Sequence, residues 1–269
     1  MKLTVEFPSV SHREGPDAVR KFARAVEEIG YDHIDVFDHV VMGFPIEGRP
    51  PGPYPATMPI LEAMMLLAHV AAVTSRVTMG TEVLVLPQRH PTLVAKQVST
   101  LDTLSGGRVR MALGVGWQES EYEALGEDFH TRGARMDEAI RLMRAWWSDE
   151  RVDFEGTYYR VKAMAMEPKP PQGARLPLWI GGMSERAWRR AGELGDGWAA
   201  SQISDAASAR RAIDAEIPAI FAALPPLPAT PPMPPAKEFA PVLAALDAYR
   251  QTSPEMVVFS RLIRDALPA

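Results

Sequence analysis

The chain has 269 residues, is 46% hydrophobic and 23% charged, and carries a net charge of −5 with no cysteine. That is the composition of an ordinary soluble globular protein. It gives no electrostatic reason to expect nucleic acid or an anionic membrane as a partner, and it excludes disulfides, thiolate nucleophiles and cysteine-bound zinc. No apolar run approaches the roughly 18–20 residues that span a bilayer. The amino terminus, MKLTVEFPSV, alternates like a strand and lacks the apolar core of a secretory signal, so a cytoplasmic protein is expected.

Taken in order, Leu3–Ser9 is a β-rich run closed by Pro and Ser. Pro16 and Asp17 begin a helix in which Val19, Phe22, Ala23, Val26 and Ile29 recur at helical spacing, and Gly30 ends it. A second strand, HIDVFDHV, precedes a Pro/Gly-rich loop from Gly43 to Pro59 and a helix from Ile60 to Thr74. RVTMGTEVLVL is a third strand, PTLVAKQVSTLDTLSGGR a helix, and VRMALGVG a fourth strand. A polar excursion, Trp117 to Gly133, leads to a helix at Ala134–Trp147 with Met136, Ile140, Met143 and Trp147 on one face. RLPLWIGG, SERAWRRAGEL and GDGWAAS read as strand, helix and strand. Beyond Ser201, a helix at Asp205–Leu224 runs into residues 225–241, whose eight prolines read as an extended loop. A helix at Val242–Tyr249 and a strand at Met256–Ile263 close the chain, which reads as one domain over residues 1–269. Seven strands are assigned in this way, and an eighth βα unit is not visible.

Repeated βα units require parallel strands with right-handed crossovers, as an open doubly wound sheet or a closed (β/α)8 barrel. In both, ligands bind at the carboxyl ends of the strands. Polar residues and glycines gather there: Asp38-His39, Glu82, Gly114–Gly116 and Gly181-Gly182.

Each of these stretches carries a plain structural reading as well. In HIDVFDH, ligands at His33, Asp35 and His39 would spread over roughly 20 Å of strand, too far to share one metal ion. His33 is expected in solvent at the strand's entry. Asp38 and His39 at its exit either bind a polar ligand, with His39 as proton donor, or cap a turn. Glu82, inside a strong β run, is either paired or protonated at a distorted backbone position, or exposed on an edge. Gly114 and Gly116 let a ligand approach the backbone or simply turn the chain, with Glu119 and Glu121 in solvent. Gly181, Gly182 and Ser184 open a helix whose free N–H groups suit a phosphate, or form a turn and N-cap. Trp146, Trp147 and Trp188 are read as packing.

Taken together, GYDHIDVFDHV, the long run from Val77 to Trp117, RMDEAIRLMRAWW with VDFEGTYYRV, and PLWIGGMSERAWRRAGELGDGW resemble the luciferase-like family of flavin- and F420-dependent oxidoreductases. They cover residues 20 to 200 or so in the family's order. The resemblance implies a TIM barrel with insertions, its carboxyl-terminal part incomplete. It implies an enzyme passing a hydride between a deazaflavin and a small organic substrate, Asp38-His39 favouring F420 over FMN. The alternatives are an FMN-dependent two-component monooxygenase and a catalytically idle flavin-binding homologue. Asp38 would contact the cofactor, and His39 or Glu119 would handle the proton. Thr81, Glu82 and Val83 would form a bulge with a non-prolyl cis bond between Glu82 and Val83. Gly114, Gly116 and Trp117 would line the cofactor, and Gly181, Gly182 and Ser184 would hold its phosphate. No metal is implied, and a homodimer is.

Overall fold

A computed structural model describes residues 2–8 and 15–200. Expected elements after residue 200 lie outside the described residues. The elements run β1 (Thr4–Glu6), α1 (Pro16–Ile29), β2 (His33–Val36), α2 (Ala63–Val73), β3 (Thr78–Val85), α3 (Pro91–Ser105), β4 (Val109–Gly114), α4 (Glu119–Ala124), α5 (Arg132–Ser148), β5 (Val152–Glu155), β6 (Arg160–Met164), β7 (Leu178–Gly181), α6 (Glu185–Leu194) and β8 (Gly197–Ala199).

Six strands form one parallel sheet in the order β1-β2-β3-β4-β7-β8. Sequence order and spatial order therefore coincide, with no reversal where a doubly wound sheet would switch direction. Right-handed crossovers on such a sheet put every helix on the same face, which is barrel-type rather than doubly wound construction.

The side chains agree. Ile34, Val36, Met79, Leu84, Met111, Leu113, Leu178 and Ile180 alternate onto the helix side, in one core with Val19, Phe22, Leu67, Val94, Val98, Ile140 and Met143. Burying each of these stabilises the fold by about 1.5–3 kcal/mol. The opposite face carries Glu6, His33, Asp35, Glu82, Arg110 and Trp179, an unusually charged surface for the inside of a sheet built this way. Trp146 and Trp147 are packing residues, as expected, their indole N–H groups donating to Thr92 Oγ1 (3.1 Å) and the Ala95 carbonyl (3.0 Å).

Two elements differ from the sequence reading. The excursion Trp117–Gly133 contains α4, anchored where the Tyr122 hydroxyl donates to the Val115 carbonyl at 2.6 Å. VDFEGTYYRV forms an antiparallel hairpin, β5-β6, whose turn is held by Glu138 on α5 accepting the amides of Thr157, Tyr158 and Tyr159 at 2.9, 2.9 and 2.6 Å. Its exposed second strand has no apolar alternation to announce it.

Candidate active site

The site gathers at the carboxyl ends of β2, β3, β4 and β7. Strand β2 ends at Val36, earlier than HIDVFDHV suggests, so Asp38 and His39 lie on the turn beyond it. His39 is buried, and its Nδ1 lies 2.9 Å from Glu121 Oε2. Glu121 also accepts the Val40 and Val41 amides on Oε1, at 2.6 and 3.2 Å. Burial pushes the Glu121 carboxyl up, but the bonds from His39 and the Val40 amide outweigh it and hold the group below the ordinary carboxylate range. An ionised Glu121 only accepts, so His39 Nδ1 must donate. That leaves Nε2 as the ring nitrogen available to a ligand. The ring sits edge-on to Phe37, Tyr54 and Trp117, with centroids 5.1, 6.2 and 5.6 Å away.

This arrangement corrects the expectation for Glu119. That side chain is exposed and lies 3.7 Å from His130 on the outer side of α4. Glu121, expected in solvent, is the acid brought to His39. Helix α4 is too short for its phase to be read from sequence, but the Tyr122 anchor fixes which of the two glutamates turns inward.

Asp38 is paired within the fold. Its carboxylate takes three hydrogen bonds, Arg89 Nη1 on Oδ2 (2.9 Å), Arg89 Nη2 on Oδ1 (2.8 Å) and the Val85 amide on Oδ2 (2.9 Å). Only 2% of the residue is exposed. Asp38 therefore ties the turn after β2 to the end of β3 and positions its neighbour His39. Arg89, which sequence reasoning passed over, is the other half of that tie.

The peptide bond between Glu82 and Val83 is cis, at the position the resemblance implied. The β3–β4 register shifts by one residue between Thr81 and Leu84, because Thr81 pairs with Met111 and Leu84 with Leu113. The inserted residue lets two successive side chains face the inner side of the sheet. Burial and then the Asp35 charge push the Glu82 pKa up to about 8, and Val83 lies over Gly114 and Gly181. A Cβ at Gly114 would come within 2.4 Å of one Val83 methyl, and one at Gly181 within 2.6 Å of the other. The glycines at the ends of β4 and β7 thus clear space for Val83, whereas the sequence suggested that they clear it for a ligand. Thr81 is fully buried and donates its hydroxyl to the Ala112 carbonyl at 2.7 Å, so it braces the bulge from behind.

Gly116 adopts φ +68°, with Val85 where a Cβ would stand, and Trp117 beside it is 44% exposed. Gly182 adopts φ +122°, its carbonyl held by Trp198 Nε1 at 2.8 Å. Ser184 is the N-cap of α6, accepting the Ala187 amide at 3.3 Å. These features fit a deazaflavin or flavin: a half-buried aliphatic platform for a flat ring, and a glycine-opened helix N-terminus for a phosphate. His33 is buried as well, not solvent-facing, and belongs to a polar cluster beneath this site.

Residues 1–219 match the luciferase-like monooxygenase family. The F420-dependent glucose-6-phosphate dehydrogenase of Nakamurella multipartita is 36% identical over 189 residues, aligning 68% of this chain with 52% of its own. The enzyme of the same description from Kineococcus radiotolerans is 32% identical over 200 residues, aligning 73% and 56%. Among solved structures, an F420-dependent secondary alcohol dehydrogenase in complex with an F420-acetone adduct superimposes with TM-score 0.59 at 26% identity, over 74% of this chain and 58% of that one. Monooxygenase RslO1 from Streptomyces bottropensis gives TM-score 0.60 at 25% identity, over 74% and 59%. The chain spans between about half and three fifths of the length of these relatives. With a matching family pattern over most of its length and a barrel-type α/β sheet carrying the site at its strand ends, this chain belongs to the luciferase-like monooxygenase family.

Proposed function

We propose that the protein is an F420-dependent oxidoreductase acting on a small organic substrate. The observation that carries this reading is His39, fixed by buried Glu121 on the turn that Asp38 ties to the end of β3, beside the Val83 platform. Bound F420 would supply a ring carbon that gives or accepts a hydride. The residues around it would do the rest. Val83 would support the ring, Trp117 would flank it, and Gly182 with the first turn of α6 would take a phosphate. His39 Nε2 would exchange the substrate's proton, while Glu121 meets the positive charge that appears on the imidazole. Asp38 positions the turn without touching the reacting atoms. The rim residues Val40, Val41, Phe44 and Ile46 are exposed, which suits a ligand with an apolar face.

Two F420-dependent dehydrogenases above 30% identity support F420. Binding of FMN in a two-component monooxygenase is the second reading, favoured by the likeness to RslO1. Titration of the purified protein with each cofactor, followed by cofactor fluorescence, separates them. Tight F420 binding with negligible FMN binding is expected; the reverse overturns the proposal, and binding of neither points to an idle homologue. We further read the chain as one barrel domain in a cytoplasmic homodimer, which sedimentation of the purified protein tests. No helix among the described residues is long and apolar enough to cross a membrane.

A further inference from the structure

A cleft between α5 and α6 lies outside the ring site but starts at its rim. In this fold helices begin at the carboxyl ends of the strands, so the first turns of α5 and α6 stand on the side where the site is built. Between the two helices is a space of about 290 Å³. Arg141 stands on its α5 wall and Arg186, Arg189 and Arg190 on its α6 wall, with Asp137 and Glu193 as the lining acids. The α6 residues recur at i, i+3, i+4 and i+7, which puts them on one helix face. From Arg186 to Glu193 the cleft runs about 10 Å along α6, away from the strand ends.

The charges in this cleft are not balanced. Arg190 is committed to structure: its Nε donates to Asp137 Oδ1 and its Nη2 to the Gly133 carbonyl at 3.2 Å, which ties α6 to α5. Arg189 is paired with Glu185 one turn back, at 3.0 Å. Arg141 and Arg186 are exposed and make no ion pair or hydrogen bond among the described residues. Four arginines against Asp137 and Glu193 leave the lining two positive charges in excess, and one when flanking Glu185 is counted too. That excess stands on a chain whose net charge is −5. A single solvated arginine needs no partner. Two unpaired guanidinium groups lining one cleft from different helices, at the end where a phosphate would be held, make a site for anions.

We propose that this cleft takes the side chain that F420 carries beyond its phosphate, a lactyl group extended by linked glutamates with free carboxylates, and that Arg141 and Arg186 bind it. This choice of occupant rests on the proposed F420 reading. Arg186 follows Ser184, the N-cap of α6, by two positions. A phosphate held by Gly182 and the first turn of that helix would therefore stand within an arginine's length of it. Carboxylates continuing from there would meet Arg186 first and Arg141 farther along, each guanidinium offering paired N–H donors to a carboxylate. Arg189 and Arg190, already engaged, add positive field without giving up their partners. FMN ends at its phosphate and has nothing to place in the cleft. The cleft would thus raise affinity for one cofactor and leave the other untouched, away from the reacting carbon.

Fluorescence titration with F420 bearing several glutamates, and with the same deazaflavin ending at its phospholactyl group, tests the cleft. The parent should bind the glutamylated form about tenfold more tightly at low salt, and the preference should shrink as salt screens it. Arg141→Gln combined with Arg186→Gln should bind both forms alike, the loss falling on the glutamylated one. Both side chains are exposed, so the fold should survive. Lys21→Gln with Arg24→Gln, the same loss of charge at exposed positions of α1, should keep the preference. Equal affinity for the two forms in the parent overturns the proposal, as does a preference that survives in the cleft variant or disappears equally in the α1 variant. A γ-linked tetraglutamate peptide probes the cleft without any cofactor. It should shift the NMR amide signals of Gly133, Arg141 and Arg186 and not those of α1, and an absence of such shifts overturns the site. Failure of every F420 form to bind, with the peptide shifts present, would sink the cofactor reading and leave the anion cleft standing.

Discussion

Arg89 grips Asp38 with two guanidinium nitrogens, at 2.9 and 2.8 Å, while the same carboxylate takes the Val85 amide at 2.9 Å. One buried residue thereby joins β2 to the end of β3 and fixes the backbone from which His39 projects. The Asp-His pair after β2 is divided: the aspartate is tied to β3, and the histidine is held by Glu121. Asp38→Asn should therefore act first on stability. Removing one partner of a buried ion pair costs about 3–5 kcal/mol, because the other charge is left uncompensated. The denaturant midpoint should fall accordingly, and Asp38→Asn combined with Arg89→Met should recover part of the loss. Midpoints unchanged in the single variant would show that the pair holds nothing together.

Glu121→Gln makes a different prediction. The amides of Val40 and Val41 still find an oxygen, but the negative charge behind His39 is gone. Loss of such a partner to a functional histidine typically costs about 10–100-fold. Turnover should fall by that order while F420 affinity stays close to the parent's, and the same change at solvent-facing Glu119 should cost much less. Equal losses at the two positions would return the acid's role to Glu119. There is also a signature in acid. Glu121 has a folded pKa below its unfolded one, so the stability it contributes is present above the unfolded value, near 4.5, and is lost as pH falls through the folded value. Glu121→Gln should flatten that acid limb.

Much of this was legible in the chain, and the reasons for success and failure are physical. The core strands and the helices carry periodicities of two and 3.6 that follow from backbone geometry, so β3, β4, α1 and α5 could be assigned from local residues. The strand-end placement of Asp38, His39, Glu82 and the glycines was visible for the same reason. What could not be read is which acid faces which base. Glu119 and Glu121 are two residues apart on a six-residue helix, and their orientation is set by Tyr122 meeting Val115. Arg89 and Arg110 look like surface charges until the fold brings them to Asp38 and Asp35, 51 and 75 residues away. The hairpin β5-β6 escaped because its order comes from Glu138 on another element rather than from its own pattern.

The Val83 platform yields a steric prediction. A methyl at Gly114 would lie 2.4 Å from a Val83 methyl, so Gly114→Ala forces the bulge to move. Overpacking of this kind typically costs about 1–3 kcal/mol. It should also displace the surface on which the proposed deazaflavin ring would lie and so weaken F420 binding. Gly114→Ala combined with Val83→Ala removes the clash and should restore stability more than either change alone suggests. A double variant whose loss is the simple sum of the singles would mean that the two side chains do not compete for that space.

The last prediction concerns stability at alkaline pH. Glu82 has a folded pKa near 8 against 4.5 for the free group, raised by burial and then by Asp35, and burial raises Glu6 in the same direction. The folded state therefore holds protons that the unfolded chain releases. The stability this confers is fully present below the unfolded pKa and is lost progressively as pH rises from about 4.5 to about 8. One such group contributes a slope no steeper than about 1.4 kcal/mol per pH unit. Unfolding free energy of the parent should decline across that window. Glu82→Gln, which keeps a hydrogen-bond donor beside Asp35 and cannot ionise, should decline less steeply and become the more stable of the two at the alkaline end. Parallel curves for parent and variant would mean that Glu82 is already ionised in the folded protein at neutral pH.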